Sequence, residues 1–268
     1  MHPLAEQSIL AEAAQRFGVD EPLEPQFAPA FRALLRALHE EARLSPAGLE
    51  RTRARLLRAL GRRVALAELE RVEPSVTAIA IERPIVVTGF PRTGTTLLHN
   101  LLARVDGMWA PPLWQLRMPV PPISLAAEQA PEWEQAQRDD AAALLDSVYS
   151  AAPGFRAIHP MHPDWPDECN WLLRNCFSTL VNAFNWFVPG YVEFLRTCDM
   201  QPAYADHRRF LRALLHRRGD RPRLALKDPF HMWQVEAFLA AYPDATIIQL
   251  HREPVQIVPS LASLCASL

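Results

Sequence analysis

Cysteine is scarce in this chain: four among 268 residues, Cys169, Cys176, Cys198 and Cys265, with no C-x-x-C pair. That spacing argues against a disulfide scaffold and a zinc knuckle, and a reduced, cytoplasmic setting is expected. Neither sign of charge is in excess, since 28 Lys and Arg stand against 30 Asp and Glu for a net charge of −2. The balance gives no electrostatic footprint for nucleic acid and no mechanism for adhering to an anionic membrane. Long apolar runs are missing too. The most apolar segment, 171–195, is interrupted by Arg174, Asn175, Asn182, Asn185 and Pro189-Gly190, which argues against a membrane span. The N-terminus lacks the basic start and apolar core of a signal peptide.

What is present is 49% apolar, enough to bury the core of one large domain. Residues 1–80 read as a helical preface, with helices over 4–17 and 31–44 and a third opening at Ser45-Pro46, an N-cap followed by proline at the first helical position. Leu49, Leu56, Leu57 and Leu60 supply that helix's apolar stripe. Arginines at 51, 53, 55, 58, 62 and 63 suggest an RNA-binding helix, but interleaved glutamates favour a solvated face.

The chain is organised around residues 84–102. Ile85, Val86 and Val87 form a β-branched run bounded by Pro84 and Gly89, the composition of a short buried strand. Leu97, Leu98, Leu101 and Leu102 then fall at helical spacing. A strand that feeds a helix through a glycine-bearing turn makes an anion site, because the first amides of the helix have no partners and the helix dipole adds about half a positive charge there. Gly89, Gly94, Thr95 and Thr96 match the G-x-x-x-x-G-K-[ST] spacing of a nucleotide P-loop except that Thr95 stands in the lysine position. That absence argues against ATP or GTP, whereas the amides, the Thr95 and Thr96 hydroxyls and Arg92 suit a single 5′-phosphate.

Six prolines between 109 and 131 exclude a helix or inner strand across most of that segment, which is expected to cover an acceptor pocket. A helix over 131–151 follows. His159, His162, Asp164, Asp167 and Glu168 then crowd one short stretch. Prolines at 160, 163 and 166 prevent the paired helical presentation of metal ligands, so no metal is expected. Asp167 and Glu168 suit a helix N-terminus, and Glu168 or His159 suits a general base. A helix over 171–186, a short one over 192–198 and another over 202–217 complete this half. Phe177, Phe184, Trp186, Phe187 and Tyr191 read as core or as a hydrophobic acceptor pocket.

Short strands at 224–226 and 246–250, with a helix over 232–242 between them, imply a parallel crossover. The expected fold class is therefore α/β: a P-loop-like parallel sheet flanked by helices over 81–268, after the helical preface. Ligands of such sheets bind outside the carboxyl ends of the strands, where Lys227, Arg252 and the anion loop all lie.

Phe90-Pro-Arg-Thr-Gly-Thr-Thr96 resembles the 5′-phosphosulfate-binding loop of sulfotransferases, nearest to their bacterial branch. The resemblance covers about residues 83–264. It implies 3′-phosphoadenosine 5′-phosphosulfate (PAPS) as sulfuryl donor and its desulfated form PAP as product, with Pro91, Arg92, Thr93, Gly94, Thr95 and Thr96 around the 5′-phosphosulfate. Arg252 at a strand end and Ser260 eight residues on match the family's 3′-phosphate pair. Lys227 matches the lysine that assists the departing bridge oxygen, together with Arg92. Pro229 stands where the animal enzymes carry a catalytic histidine, so the base is sought among His231, His159 and Glu168. The implied reaction is transfer to a hydroxyl, less readily an amine, of a small-molecule or lipid-like acceptor, with no metal and no nucleic acid. Family members generally continue beyond the position of Leu268, so a chain short of the usual C-terminal segment is expected. The alternatives are a P-loop-like nucleotide kinase and a non-catalytic PAP-binding module.

Overall fold

The computed structural model describes residues 2–122 and 124–266. The chain divides into two compact units, one of residues 1–79, 119–123 and 170–217, the other of 80–118, 124–169 and 218–268.

The first unit is helical. Helix α1 (Glu6–Phe17), α2 (Ala28–Glu40) and α3 (Pro46–Val72) are joined by helices Pro189–Thr197 and Gln201–Arg218. The Ser45 hydroxyl accepts from Gly48 N at 3.1 Å and Pro46 opens α3, as the sequence predicts. Residues 1–79 thus fold together with 170–217, and the reason is visible in α3. Arg63, 1% exposed, pairs with Asp206 at 2.7 Å and Glu24 at 2.7 Å while its guanidinium lies 3.8 Å above the Phe27 ring. Removing one member of such a buried pair costs about 3–5 kcal/mol.

The helix expected across 171–186 is broken. Helix Asn170–Leu173 gives way to a 3₁₀ turn, and Phe177 takes a left-handed φ of 59°. Tyr191, fully buried, accounts for the break: its hydroxyl donates to the Phe177 carbonyl at 2.6 Å and accepts from Thr179 N at 3.1 Å and Asn182 Nδ2 at 3.2 Å. These bonds fix a loop where apolar periodicity alone would continue the helix.

The second unit holds a four-stranded parallel sheet in the order β2-β3-β1-β4, with β1 (Ile85–Gly89), β2 (Met108–Trp109), β3 (Arg223–Lys227) and β4 (Thr246–Leu250). Val86 and Val87 on the inner strand are fully buried, each worth about 1.5–3 kcal/mol of transfer free energy. Helix α4 (Thr95–Leu102) follows β1, and helix Pro254–Ala266 follows β4. The proline-rich stretch contains a short helix, Leu113–Arg117, which Pro112 precedes without entering. Its Trp114 is buried beneath the Arg138 guanidinium at 4.2 Å, a packing position. The predicted helix over 232–242 is a 3₁₀ segment, Pro229–Trp233, followed by Val235–Ala241, because Pro229 and the Asp228 side chain, which accepts from Phe230 N, tighten its start.

Candidate functional site

The carboxyl ends of β1, β3 and β4 converge on the turn after β1. Gly89 has φ 145° and a Cβ there would lie 2.6 Å from the Leu250 carbonyl, so only glycine lets β1 pass this close to the end of β4. Arg92 and Gly94 adopt positive φ of 76° and 96°. The Thr93 hydroxyl donates to the Phe90 carbonyl at 2.8 Å and closes the turn. Gly94 has no side chain to cap α4, and a Cβ there would meet nothing within 4 Å. Gly94 is exposed at the start of α4, and the first amides of a helix, which lack intrahelical partners, suit an anion. Thr95 is buried and Thr96 is half-buried at that end.

Arg92 points out of the turn. Its Nε donates to Ser260 Oγ at 3.0 Å and one terminal nitrogen donates to the Ile158 carbonyl at 3.0 Å. Arg252 donates through a terminal nitrogen to the Arg92 carbonyl at 3.3 Å and through Nε to Gln256 Oε1 at 2.8 Å. Arg92, Arg252 and Ser260 are thus brought to one place.

Lys227, the only lysine in the sequence, ends β3 and is 2% exposed. Its Nζ lies 2.6 Å from Glu168 Oε1. Burial by itself drives this ammonium toward losing its proton, but the carboxylates of Glu168 and Asp167 outweigh burial and raise its pKa. Cys169 N donates to the Lys227 carbonyl at 2.9 Å, which holds the segment bearing Glu168 over the end of β3. Burial raises the Asp167 carboxyl and lowers the half-buried His159, which also senses the charges of Glu168, Lys227 and Arg92.

His231 lies apart from open space. It is 1% exposed, its Nε2 sits 3.2 Å from Cys169 Sγ, and its ring packs 4.8 Å from Phe238. Burial pushes the Cys169 thiol well above the ordinary range, and His231 Nδ1 lies 3.8 Å from Asp228 Oδ2. One residue that matters locally escaped the sequence reading. His99, fully buried on α4, places Nε2 3.1 Å from the Ala225 carbonyl, beyond the point where β2 stops pairing with β3. Burial and the Lys227 charge lower its pKa to about 4. Its position four residues after Thr95, on the same buried face of α4, was the available signal.

A profile described as the Sulfotransferase family matches residues 84–268. The chain belongs to the sulfotransferase family. Curated sulfotransferase relatives include the omega-hydroxy-beta-dihydromenaquinone-9 sulfotransferase Stf3 of Mycobacterium bovis and of Mycobacterium tuberculosis, each 30% identical over 195 residues. These matches cover 70% of this chain and 46% of each relative, so the chain spans about half the length of the curated relatives it matches. The crystal structure of sulfotransferase STF1 from Mycobacterium tuberculosis superposes with a TM-score of 0.82 at 29% identity, covering 99% of this chain and 72% of that one. Sulfotransferase STF9 from Mycobacterium avium gives 0.78 at 27% identity, covering 98% and 66%. The α/β class with its parallel sheet flanked by helices agrees with both sulfotransferase structures.

Proposed function

We propose that this chain carries a PAPS site and transfers a sulfuryl group to the hydroxyl of a lipid-like acceptor. The observation that carries the reading is the meeting of Arg92, Arg252 and Ser260 beside the uncapped start of α4. Pro91 and Thr93 shape the turn. The amides around Gly94 to Thr96, with the Thr95 and Thr96 hydroxyls, would hold the 5′-phosphosulfate, and Arg252 with Ser260 the 3′-phosphate. PAPS supplies an activated sulfuryl group whose bond to a phosphate oxygen breaks as the acceptor oxygen bonds to sulfur. In this reading the Lys227 ammonium and the Arg92 guanidinium would offset the negative charge that grows on that departing oxygen. Side chains and amides supply this charge, so the proposed site calls for no metal.

Glu168 is the proposed base. It lies against Lys227 and is half-buried, whereas His231 is 1% exposed between Cys169 and Asp228. His159 is the second candidate, half-buried and under the influence of the same charges. A lipid-like acceptor is favoured because the named Stf3 relatives are sulfotransferases of a menaquinone derivative. Among the described residues no helix is long and apolar enough to cross a membrane, and the four free cysteines accord with a reducing, cytoplasmic location.

The deciding experiment is calorimetric titration with PAP, with ATP and Mg²⁺ as the comparison, on the wild type and on Arg252→Ala. Micromolar PAP binding that weakens in the variant, without ATP binding, supports the reading, and an acceptor screen then separates an enzyme from a PAP-binding module. ATP binding without PAP binding would instead revive the kinase.

A further inference from the structure

The start of α4 and the end of β3 carry the two halves of the proposed donor chemistry, the anion-holding amides and Lys227. We propose that His99 is a positioning residue that fixes one against the other, by supplying from α4 a hydrogen bond that β3 lacks two residues before Lys227. The purpose assigned to that spacing rests on the proposed donor site; the placement of Lys227 does not.

Backbone groups alternate in direction along a strand. Arg223 N donates to the Gly107 carbonyl, on the side of β2, and Asp228 N donates at 3.3 Å to the Val87 carbonyl, on the side of β1. Ala225 and Lys227 therefore turn their carbonyls toward the side of β2. That strand stops at Trp109, opposite Leu224. A parallel ladder steps by two, so after Gly107 and Trp109 the donor due to the Ala225 carbonyl is residue 111, a proline without an N–H. Ala225 is fully buried, and a buried carbonyl left without a donor costs about 1–3 kcal/mol. His99 Nε2, 3.1 Å away, takes the place of the missing rung, while Cys169 N meets the Lys227 carbonyl at 2.9 Å.

The choice of histidine supports a role beyond packing. A carbonyl only accepts, so Nε2 carries the proton and Nδ1 is a bare acceptor. That Nδ1 is buried and has no hydrogen-bond partner among the described residues. Leucine would fill the same space without leaving such an atom, so the donor is what the position needs. Lysine or arginine would donate too, but would set a second cation near Lys227. The imidazole donates while neutral, and burial with the Lys227 charge keeps it so. Thr95 and His99 lie one turn apart on the buried face of α4. The bond to Ala225 thus ties the helix that would hold the 5′-phosphosulfate to the strand that ends in the ammonium. Ala225 and Lys227 pair in register with Ile85 and Val87 of β1, which closes the frame. A misplacement of about 1 Å in such a frame can cost about 10²-fold in rate.

The test uses the whole chain labelled with ¹³C-lysine, whose one Cε signal is that of Lys227. The matched variants are His99→Met, which keeps the bulk and loses the donor, and His99→Gln, which keeps both. Leu60→Ala, in the core of the first unit, is the comparison for loss of stability alone. In His99→Met the signal is expected to broaden and move toward the position of a free lysine, with PAP affinity by calorimetry within a few-fold of wild type. His99→Gln should restore the wild-type signal, and Leu60→Ala should lower the melting temperature without moving it. An unmoved signal in His99→Met overturns the proposal, as does an equal displacement in His99→Gln or in Leu60→Ala. Should His99→Met not fold, a displaced signal in His99→Gln overturns it and an unmoved one supports it. Absence of PAP binding by the wild type would remove the donor reading instead, and the lysine signal, read without ligand, would still decide whether His99 places Lys227.

Discussion

Arg92 Nε donates to Ser260 Oγ at 3.0 Å, joining the turn after β1 to the last helix across 168 residues of sequence. The other partner of the guanidinium is the Ile158 carbonyl, so both its hydrogen bonds are to neutral groups. A cation held by a hydroxyl and a carbonyl keeps its charge for an arriving anion, and the same contacts place it before the anion comes.

Arg92→Ala is expected to weaken PAP binding about tenfold or more, the scale of a lost charge-assisted hydrogen bond of roughly 1.5–3 kcal/mol. Ser260→Ala removes a neutral partner and should cost about fivefold. Titration calorimetry on the two variants checks the order. A larger loss in Ser260→Ala than in Arg92→Ala would mean that Arg92 merely orients the serine.

The Glu168 and Lys227 pair separates binding from chemistry. Glu168→Gln keeps the shape of the side chain but cannot take a proton, and a positioned base contributes about 10²- to 10⁴-fold. The expected result is a fall in kcat on that scale with PAP affinity within a few-fold of wild type. His159→Asn should change kcat by less than tenfold. The reverse pattern, with the larger fall in His159→Asn, would transfer the role of base to the histidine.

Much of this was legible in the residues. The β-branched run at Ile85 to Val87, the glycine spacing of the turn and the two later strands fixed a parallel sheet, because each signal was local and all agreed. Arg252 and Ser260 could be placed only by family likeness, and their link to Arg92 is a contact between segments far apart in the chain. The helix break at Phe177 was hidden for a similar reason, since the hydroxyl that causes it belongs to Tyr191, fourteen positions later. His231 was a candidate base because it lies two residues after Pro229, where the animal enzymes carry a catalytic histidine, and the 3₁₀ turn that opens at Pro229 sets its Nε2 3.2 Å from Cys169 Sγ. The burial of His231 is a property that residue types do not state.

His99 gives a stability signal in acid. Its pKa is about 4 in the fold, below the ordinary histidine value of 6.5, because burial and Lys227 oppose the charged ring. The depressed value means that its contribution is fully present above pH 6.5 and is lost as pH falls toward 4. By linkage the loss amounts to about 3 kcal/mol over that window. His99→Gln retains a donor for the Ala225 carbonyl without titrating. Its stability relative to wild type, from urea melts between pH 7 and 4, should therefore improve steadily on acidification. A constant difference across that range would show that the imidazole is not the group responsible.

Because Lys227 is the only lysine, selective ¹³C-lysine labelling gives one Cε resonance that reads its charge directly. The carboxylates of Glu168 and Asp167 hold its pKa above the ordinary 10.5 in spite of burial. With the folded value raised, the stability it contributes is present below 10.5 and disappears as pH climbs through the folded pKa. Glu168→Gln takes away the largest of the opposing charges and leaves burial in place, so the titration midpoint must move down. An unmoved midpoint would show that the 2.6 Å pair does not set the charge of Lys227, and the case for this ammonium as the group that meets the departing oxygen would lose its electrostatic basis. A downward shift, with the signal also responding to added PAP, would place the lysine within the field of the donor site.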